Sequence, residues 1–235
     1  MRKQSVFLAA AVLTAALPAV FAGDIAGKIT LKGTPPANPE VKDLAADVNC
    51  GKLVTEKVFM PFYVVGSAGE LADVFVTIKD MSGKSTGASA EPAVIDQKSC
   101  QYHPYVSAIQ TKQTLLVKNS DPLLHNVNIT PTPGSGNKPA NQAQLPAGPD
   151  LKFTFDAPEK FMRFKCDVHG WMFAYVCVVD HPYFAVSGKD GTFKIKNVPP
   201  GKYTIEATHR KAGTVTKEVE VKDDGATLDL TLEVK

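Results

Sequence analysis

The sequence has no excess of charge of either sign and, beyond its first 22 residues, no long apolar run. Apart from Arg2 and Lys3 it carries 24 basic and 24 acidic residues, so neither nucleic acid nor an anionic membrane is expected as a main partner. Charged residues make up 21% of the chain, which argues against disorder. No apolar segment after residue 22 approaches the ~20 residues that a membrane-spanning helix needs.

The first 22 residues have the layout of an export signal. Arg2 and Lys3 precede an apolar run over residues 6–20, and the small residue Ala22 offers a cleavage point. We therefore predict a signal peptide over 1–22 and a mature protein in the periplasm or outside the cell, without stable membrane insertion. The alternative is an uncleaved anchor helix. The periplasm and the extracellular space are oxidising, so disulfides are to be expected among the four cysteines.

Short segments that alternate apolar and polar residues recur along the rest of the chain. Turns separate them, and their spacing of about 8–12 residues predicts an all-β protein built from sandwiches. The predicted strands cover 25–32, 71–79, 114–118, 124–130, 151–156, 174–179, 192–196, 202–208, 214–221 and 226–233. Residues 131–150 contain five prolines and three glycines, and we predict an irregular loop there.

Four side chains that bind soft metal ions lie in the middle of the chain. Cys166, His169 and Met172 have the spacing Cys-x2-His-x2-Met directly after the strand-like segment 161–165, and His125 lies 41 residues upstream in a predicted strand. One thiolate, two imidazoles and a thioether are the donors of a mononuclear copper site with a trigonal plane and a weak axial sulfur. The tight loop would bring Cys166 and His169 to one metal ion, and His125 would complete the plane.

Two other interpretations of these residues remain open. In the first, Cys166 is simply buried, His169 is on the surface and Met172 is in the core. In the second, the residues hold zinc, but methionine is a poor zinc ligand and structural zinc prefers four cysteine or histidine ligands.

Around these residues the sequence resembles the cupredoxins, the small blue copper proteins. The resemblance is carried by Asn-Ser-Asp-x3-His-Asn-Val at 119–127 and by Phe-Lys-Cys-Asp-Val-His-Gly-Trp-Met at 164–172. The short ligand loop is most similar to that of amicyanin, although Gly170 stands where the amicyanin-type loop usually has proline. The resemblance implies a Greek-key β-sandwich over 96–180.

The resemblance also implies the roles of particular residues. One type 1 copper per chain would be held by His125, Cys166, His169 and Met172. Asn126 would tie the two ligand-bearing loops together through hydrogen bonds near Cys166.

The flanking segments resemble a second module. Ser-Gly-Lys-Asp-Gly-Thr-Phe-Lys-Ile-Lys at 187–196 and Val-Pro-Pro-Gly-Lys-Tyr-Thr-Ile at 198–205 are similar to the transthyretin-like or carboxypeptidase-regulatory β-sandwich. We expect residues 23–95 and 181–235 to supply this module. They could form one sandwich from 23–80 and 181–235 with the cupredoxin inserted, or two sandwiches in tandem. The combination resembles exported bacterial proteins named methylamine utilization proteins.

The remaining cysteines and one histidine have simpler interpretations. Cys50 and Cys100 lie in turn-rich segments, and we predict a disulfide between them; a second metal site of Cys100 with His103 is the alternative. Cys177 lies in an apolar strand and should be a buried free thiol. His209, beside a charged residue, is expected at an exposed strand end.

Three functional classes follow from the sequence. We favour an exported copper protein that carries single electrons between transient periplasmic redox partners, passing them through the edge of His169. Copper binding or delivery without redox turnover, or an adhesion-type sandwich, is the alternative. An enzyme is not expected, because a multicopper enzyme needs further copper ions held by His-x-His pairs and the five histidines of this chain form none.

Overall fold

Alternating apolar and polar residues form strands along nearly the whole of the part of the chain that the computed structural model describes, residues 22–235. The predicted signal peptide lies outside this part, apart from Ala22. The strands are β1 (Gly23–Lys32), β2 (Phe75–Ile78), β3 (Ala93–Lys98), β4 (Gln101–His103), β5 (Val106–Gln110), β6 (Leu115–Asn119), β7 (His125–Thr130), β8 (Ala140–Gln144), β9 (Leu151–Phe153), β10 (Glu159–Lys165), β11 (Phe173–Val179), β12 (Phe184–Val186), β13 (Thr192–Val198), β14 (Gly201–His209), β15 (Gly213–Val221), β16 (Ala226–Thr227) and β17 (Leu230–Glu233).

Helical structure in residues 22–235 is limited to one α-helix, α1 (Lys42–Ala46), and two single 3-10 turns at Cys50–Lys52 and Gly87–Ser89. None of these helices is long and apolar enough to cross a membrane. The predicted all-β fold class is confirmed.

Two sheets form what we call the central sandwich, residues 93–179. One has the strand order β5-β11-β10-β7-β8 and the other the order β4-β3-β6-β9. The core between them contains fully buried side chains from both sheets, including Ile95, Leu115, Ile129 and Phe164. Burying side chains of this size stabilises a fold by about 1.5–3 kcal/mol each.

The remaining sheets form the terminal sandwich, which joins strands from both ends of the described chain. Strand β1 lies between β13, which it pairs antiparallel, and β16 and β17, which it pairs in parallel. The facing sheet has the order β12-β2-β14-β15, and its Val76 and Ile205 are buried with Ile25 and Leu232 of the first sheet. The chain leaves the terminal sandwich after β2, forms the central sandwich and returns at β12, which pairs with β2. The central sandwich is therefore inserted in the terminal one, and the two do not follow each other in tandem.

The N-terminal segment predicted over 23–95 is divided between the two sandwiches. Residues 39–60, which we call the covering segment, place Val41, Leu44 and Cys50 in the core of the central sandwich. The predicted boundary at 95/96 also falls inside β3, which pairs in parallel with β6. Apolar residues in the covering segment follow no regular period, so the sequence does not show on which sandwich the segment packs.

The predicted strands omit five short strands of the structure, β3, β4, β5, β8 and β12. The prediction of an irregular loop over 131–150 is wrong at β8, which pairs antiparallel with β7 from His125 opposite Gln144 to Ile129 opposite Ala140. This edge strand consists mainly of exposed polar residues between prolines, so the apolar alternation that predicts a strand is missing.

The two sandwiches meet through a small apolar cluster and an arginine. Phe75 of β2 is buried against Cys177 and Val179 of β11, and the Arg210 guanidinium lies 3.4 Å from the centre of the Tyr175 ring. Cys177 is a buried free thiol, as predicted, and burial raises its pKa to about 12. Such a thiol is inert at neutral pH.

His209, at the end of β14, is buried and not exposed, so the expectation drawn from its charged neighbour is wrong. Only 3% of its surface is exposed, and its ring lies beside Tyr63 with 5.3 Å between centroids. Its Nδ1 accepts the backbone N–H groups of Lys211 and Ala212 at 3.3 and 3.1 Å. Burial, together with the charge of Arg210, lowers the pKa of His209 to about 4.

This neutral histidine should make the fold sensitive to acid. Between the ordinary pKa of about 6.5 and the folded value of about 4, the unfolded chain binds one more proton, so stability falls as the pH falls through this window. We expect the free energy of unfolding in urea to drop by about 2 kcal/mol more between pH 7 and pH 4.5 in the wild type than in His209→Asn. The asparagine Oδ1 can accept the same two N–H groups.

Other titrating groups affect the wild type and His209→Asn equally, so their contributions cancel in the difference between the two proteins. Burial raises the pKa of Asp73 to about 6, which favours folding as the pH falls, but it does so equally in both chains. Equal pH dependence of the wild type and His209→Asn would contradict a neutral buried His209.

Candidate metal centre

The predicted metal ligands meet at one end of the central sandwich because of how three strands pair. Strand β10 pairs antiparallel with both β7 and β11, with Lys165 opposite Asn128 and Phe173. The end of β10 therefore delivers Cys166 beside the strand that begins at His125. His169 and Met172 follow in the tight turn between β10 and β11.

Three donor atoms converge in this turn. His125 Nδ1 and His169 Nδ1 are 3.0 Å apart, and Cys166 Sγ lies 4.0 and 3.8 Å from them. Exposed fractions of the three residues are 0%, 7% and 1%. A metal ion at the centre of such a triangle would touch all three atoms at ordinary bond lengths, about 2.0–2.1 Å for nitrogen and about 2.3 Å for sulfur.

Met172, the fourth predicted ligand, belongs to the same turn. Its N–H donates to the carbonyl of His169 at 2.9 Å, and its carbonyl accepts the N–H of Cys166 at 3.0 Å. The side chain is 1% exposed and lies in the same core as Cys166. These two backbone hydrogen bonds fix the turn, so Cys166, His169 and Met172 are held as one unit.

Asp121 orients the first histidine. Its Oδ2 accepts a hydrogen bond from His125 Nε2 at 2.9 Å, and its carboxylate also accepts the backbone N–H groups of Ser99 and Cys100. A proton held on Nε2 leaves the lone pair of Nδ1 facing the other donors, which is how carboxylates commonly position metal-binding histidines. Asp121 was not predicted as a functional residue, although its place in the Asn-Ser-Asp motif, four residues before His125, was a usable signal.

Asn126 links the two ligand-bearing loops. Its Oδ1 accepts the N–H groups of Asp167 at 2.5 Å and of Val168 at 3.4 Å, and its Nδ2 donates to the Asp167 carboxylate. The thiol of Cys166 itself contacts the ring nitrogens of His125 and His169. These contacts hold the thiol in place next to both histidines.

Electrostatics in the cluster favour a thiolate. Burial opposes ionisation of Cys166, but hydrogen bonds from His125 and from backbone N–H groups outweigh it and lower the thiol pKa. Burial likewise opposes the charged form of His125, yet Asp121 and Cys166 raise its pKa to about 9. A metal ion that binds Nδ1 must displace this proton, so we expect metal binding to release protons and to strengthen as the pH rises towards 9.

His169 is less accessible than the sequence suggested. We expected its edge to be exposed for electron exchange, but it is only 7% exposed. The Trp171 ring lies beside it, tilted by 48° with 5.3 Å between centroids, and the Trp171 indole N–H donates to the carbonyl of Cys100 at 3.1 Å. Burial and the neighbouring charge of His125 lower the pKa of His169, so it is neutral and available as a ligand at neutral pH.

The predicted disulfide borders this site. Cys50 and Cys100 are bonded, with their Cα atoms 5.8 Å apart, so the disulfide prediction is confirmed. The alternative site with Cys100 and His103 is not formed, because Cys100 is bonded to Cys50 and His103 is exposed.

The donors present fit copper better than zinc. Within residues 22–235 the cluster offers one sulfur and two imidazole nitrogens in a plane, with a buried methionine in the same turn. Thiolate and thioether favour Cu(I) and imidazole accepts both oxidation states of copper. A structural zinc site would instead need a fourth strong ligand.

Comparisons with known proteins give partial similarities. A family model described as the second β-sandwich domain of the NOMO1-like subunit of the BOS complex matches residues 183–235. The comparison with curated protein sequences finds no match.

Among solved structures, the Cu-containing nitrite reductase of Thermus scotoductus is 19% identical over 38% of this chain and 23% of its own, with a TM-score of 0.34. A purple cupredoxin from Nitrosopumilus maritimus is 22% identical over 37% of this chain and 98% of its own, with a TM-score of 0.31. Amicyanin from Paracoccus versutus is 19% identical over 44% and 96%, with a TM-score of 0.33.

Removing the charge of Asp121 tests its role directly. Asp121→Asn keeps the size of the side chain but removes one of the two acceptors and the negative charge beside His125. We expect copper affinity, measured by competition with a chelator, to fall by about 10–100-fold. Asp180→Asn is the matched control, because Asp180 also accepts one backbone N–H and one hydroxyl at a distance from the donors. Unchanged affinity in Asp121→Asn would show that Asp121 is not an orienting residue.

Proposed function

We propose that this chain is an exported, mononuclear type 1 copper protein that carries single electrons between transient periplasmic partners and is not itself an enzyme. The observation that carries the proposal is the convergence of Cys166 Sγ with the Nδ1 atoms of His125 and His169 within 4.0 Å. Export is proposed from the pattern of residues 1–22.

His125, Cys166 and His169 would hold the copper ion, with Met172 as the weak axial donor. When bound, copper supplies a centre that gains or loses one electron without forming or breaking bonds in the protein. The chain supplies the rest: a buried donor set, fixed before metal binding by Asp121, Asn126 and the backbone bonds of the turn.

This fixed arrangement is what electron transfer requires. A site whose donors hardly move between Cu(I) and Cu(II) needs little reorganisation, and its burial excludes water from the metal. The disulfide, the strands that carry the ligands and the apolar core all restrict such movement. The Trp171 ring lies beside His169, with 5.3 Å between centroids.

Copper binding without redox turnover is the second candidate, and one observation favours it. His169 is only 7% exposed, so a redox partner has little direct access to a ligand edge. Trp171 lies beside this histidine, and Cys50 of the covering segment lies within 4.8 Å of its ring.

A visible spectrum with electrochemistry separates these functions. The chain from Gly23 onward, loaded with Cu(II), should show an intense thiolate-to-copper band that disappears with ascorbate. A reversible one-electron wave would support the electron carrier. A coloured protein without such a wave would support copper binding alone, and a folded but colourless protein would contradict both.

A further inference from the structure

The disulfide lies against the metal centre. The sulfur atoms of Cys50 and Cys100 and a ring nitrogen of His169 all lie within 4.8 Å of one another, and Cys100 Sγ lies equally near ligand atoms of Asp121 and His125. Both cysteines are 0% exposed. Two sulfurs, an imidazole and the donor set described above therefore share one buried cluster.

The segment that carries Cys50 is attached to the rest of the chain in an unusual way. Every hydrogen bond that residues 39–60 form with described residues has its partner between Asn38 and Tyr63. The segment is held on the central sandwich by the disulfide and by apolar side chains such as Leu44. It can therefore shift slightly without breaking hydrogen bonds, while its apolar contacts keep Cys50 near His169.

The chemistry of these three donors depends on the state of the disulfide. Bonded sulfurs offer no thiolate, whereas two reduced cysteines offer the ligands that soft metal ions prefer. Two thiolates with one imidazole suit Cu(I) in a buried, three-coordinate site. The small separation that a metal ion needs between the two sulfurs can be supplied by the covering segment.

We propose that Cys50 and Cys100, once reduced, form with His169 an alternative Cu(I) site, which borders the first site and competes with it for this histidine. Reduction by a dithiol breaks the Cys50–Cys100 bond. The dithiol gives two electrons and two protons to the cysteines and becomes a disulfide itself. Cu(I) then binds the two sulfurs and displaces their protons. The site needs no contribution from Cys166, so it can exist even if the proposed electron carriage is wrong.

The test uses the Cys166→Ala chain, in which the first donor set has no thiolate. One sample stays oxidised, and the other is reduced with dithiothreitol and desalted without oxygen. Each is titrated with Cu(I) against a chromophoric chelator. Reduction should raise the Cu(I) affinity by about 100-fold or more and add one equivalent. The gain should disappear in Cys166→Ala/His169→Gln and in Cys166→Ala/Cys50→Ser/Cys100→Ser.

Several results would overturn the alternative site. These are no gain on reduction, a gain that survives His169→Gln, or loss of structure on reduction as seen in the emission of Trp171, the single tryptophan of the chain. The histidine variant retains both cysteines, so the test does not depend on the folding of the serine variant. A colourless oxidised wild type would count against the proposed function and leave this result unaffected.

Discussion

Replacing Cys166 with alanine should remove the intense visible band of the Cu(II)-loaded protein and leave the fold intact. Cys166 supplies the one thiolate among the three converging donors, and the absorption of such sites arises from the copper–thiolate bond. The imidazoles of His125 and His169 alone give weak colour, so we expect the absorbance to fall at least about tenfold. Visible absorption and near-ultraviolet circular dichroism measure colour and fold separately.

Cys177→Ala is the matched control. Cys177 is the other buried free thiol in residues 22–235, and it lies at the junction of the sandwiches, away from the donor set. The same substitution there should keep the colour. Loss of the band in both variants, or in neither, would contradict the assignment of Cys166 as a ligand.

Removing the disulfide should have the largest effect on stability. Cys50 and Cys100 are 50 residues apart, and closing a loop of this length restricts the unfolded chain by about 4 kcal/mol at 25 °C in the chain-entropy description. Cys50→Ser/Cys100→Ser should therefore lower the free energy of unfolding in urea by about 4 kcal/mol.

Reduction of the wild type gives an independent version of the same measurement without changing any side chain to serine. If both the reduced wild type and the double variant lose less than about 1 kcal/mol, the loop closed by the disulfide must already be restricted in the unfolded state. If the free energy of unfolding falls strongly in the double variant but not in the reduced wild type, the cause is the burial of the two serine hydroxyl groups.

The convergence of Cys166 and His169 could be predicted from the sequence because it is local. Cys166 and His169 are separated by two residues in a tight turn, so they must project towards nearly the same point. The position of His125 required one further assumption, namely that its strand pairs with the strand that leads into this turn. The disulfide could be predicted because the export signal expected over residues 1–22 implies an oxidising compartment, in which cysteines outside the donor set are expected to pair.

Other features depend on contacts that no local pattern records. His169 is buried next to Cys50 of residues 39–60, and the irregular apolar spacing of that segment does not show which sandwich it packs on. The boundary at 95/96 was misplaced because β3 pairs in parallel with β6, and parallel pairing leaves no hairpin turn to mark it. His209 was misjudged because burial is decided by Tyr63, far away in the chain.

The connectivity of the terminal sandwich has a consequence for synthesis of the protein. Strand β1 emerges first but finds its strand partners only in β13, β16 and β17, which begin at Thr192. The ribosome must therefore complete nearly the whole chain before β1 can join a sheet, whereas all strands of the central sandwich are available earlier. In a nascent chain that stops before Thr192, β1 has only the short bridge of Thr30 with Glu70, so most of its backbone hydrogen-bonding groups are left open to proteases.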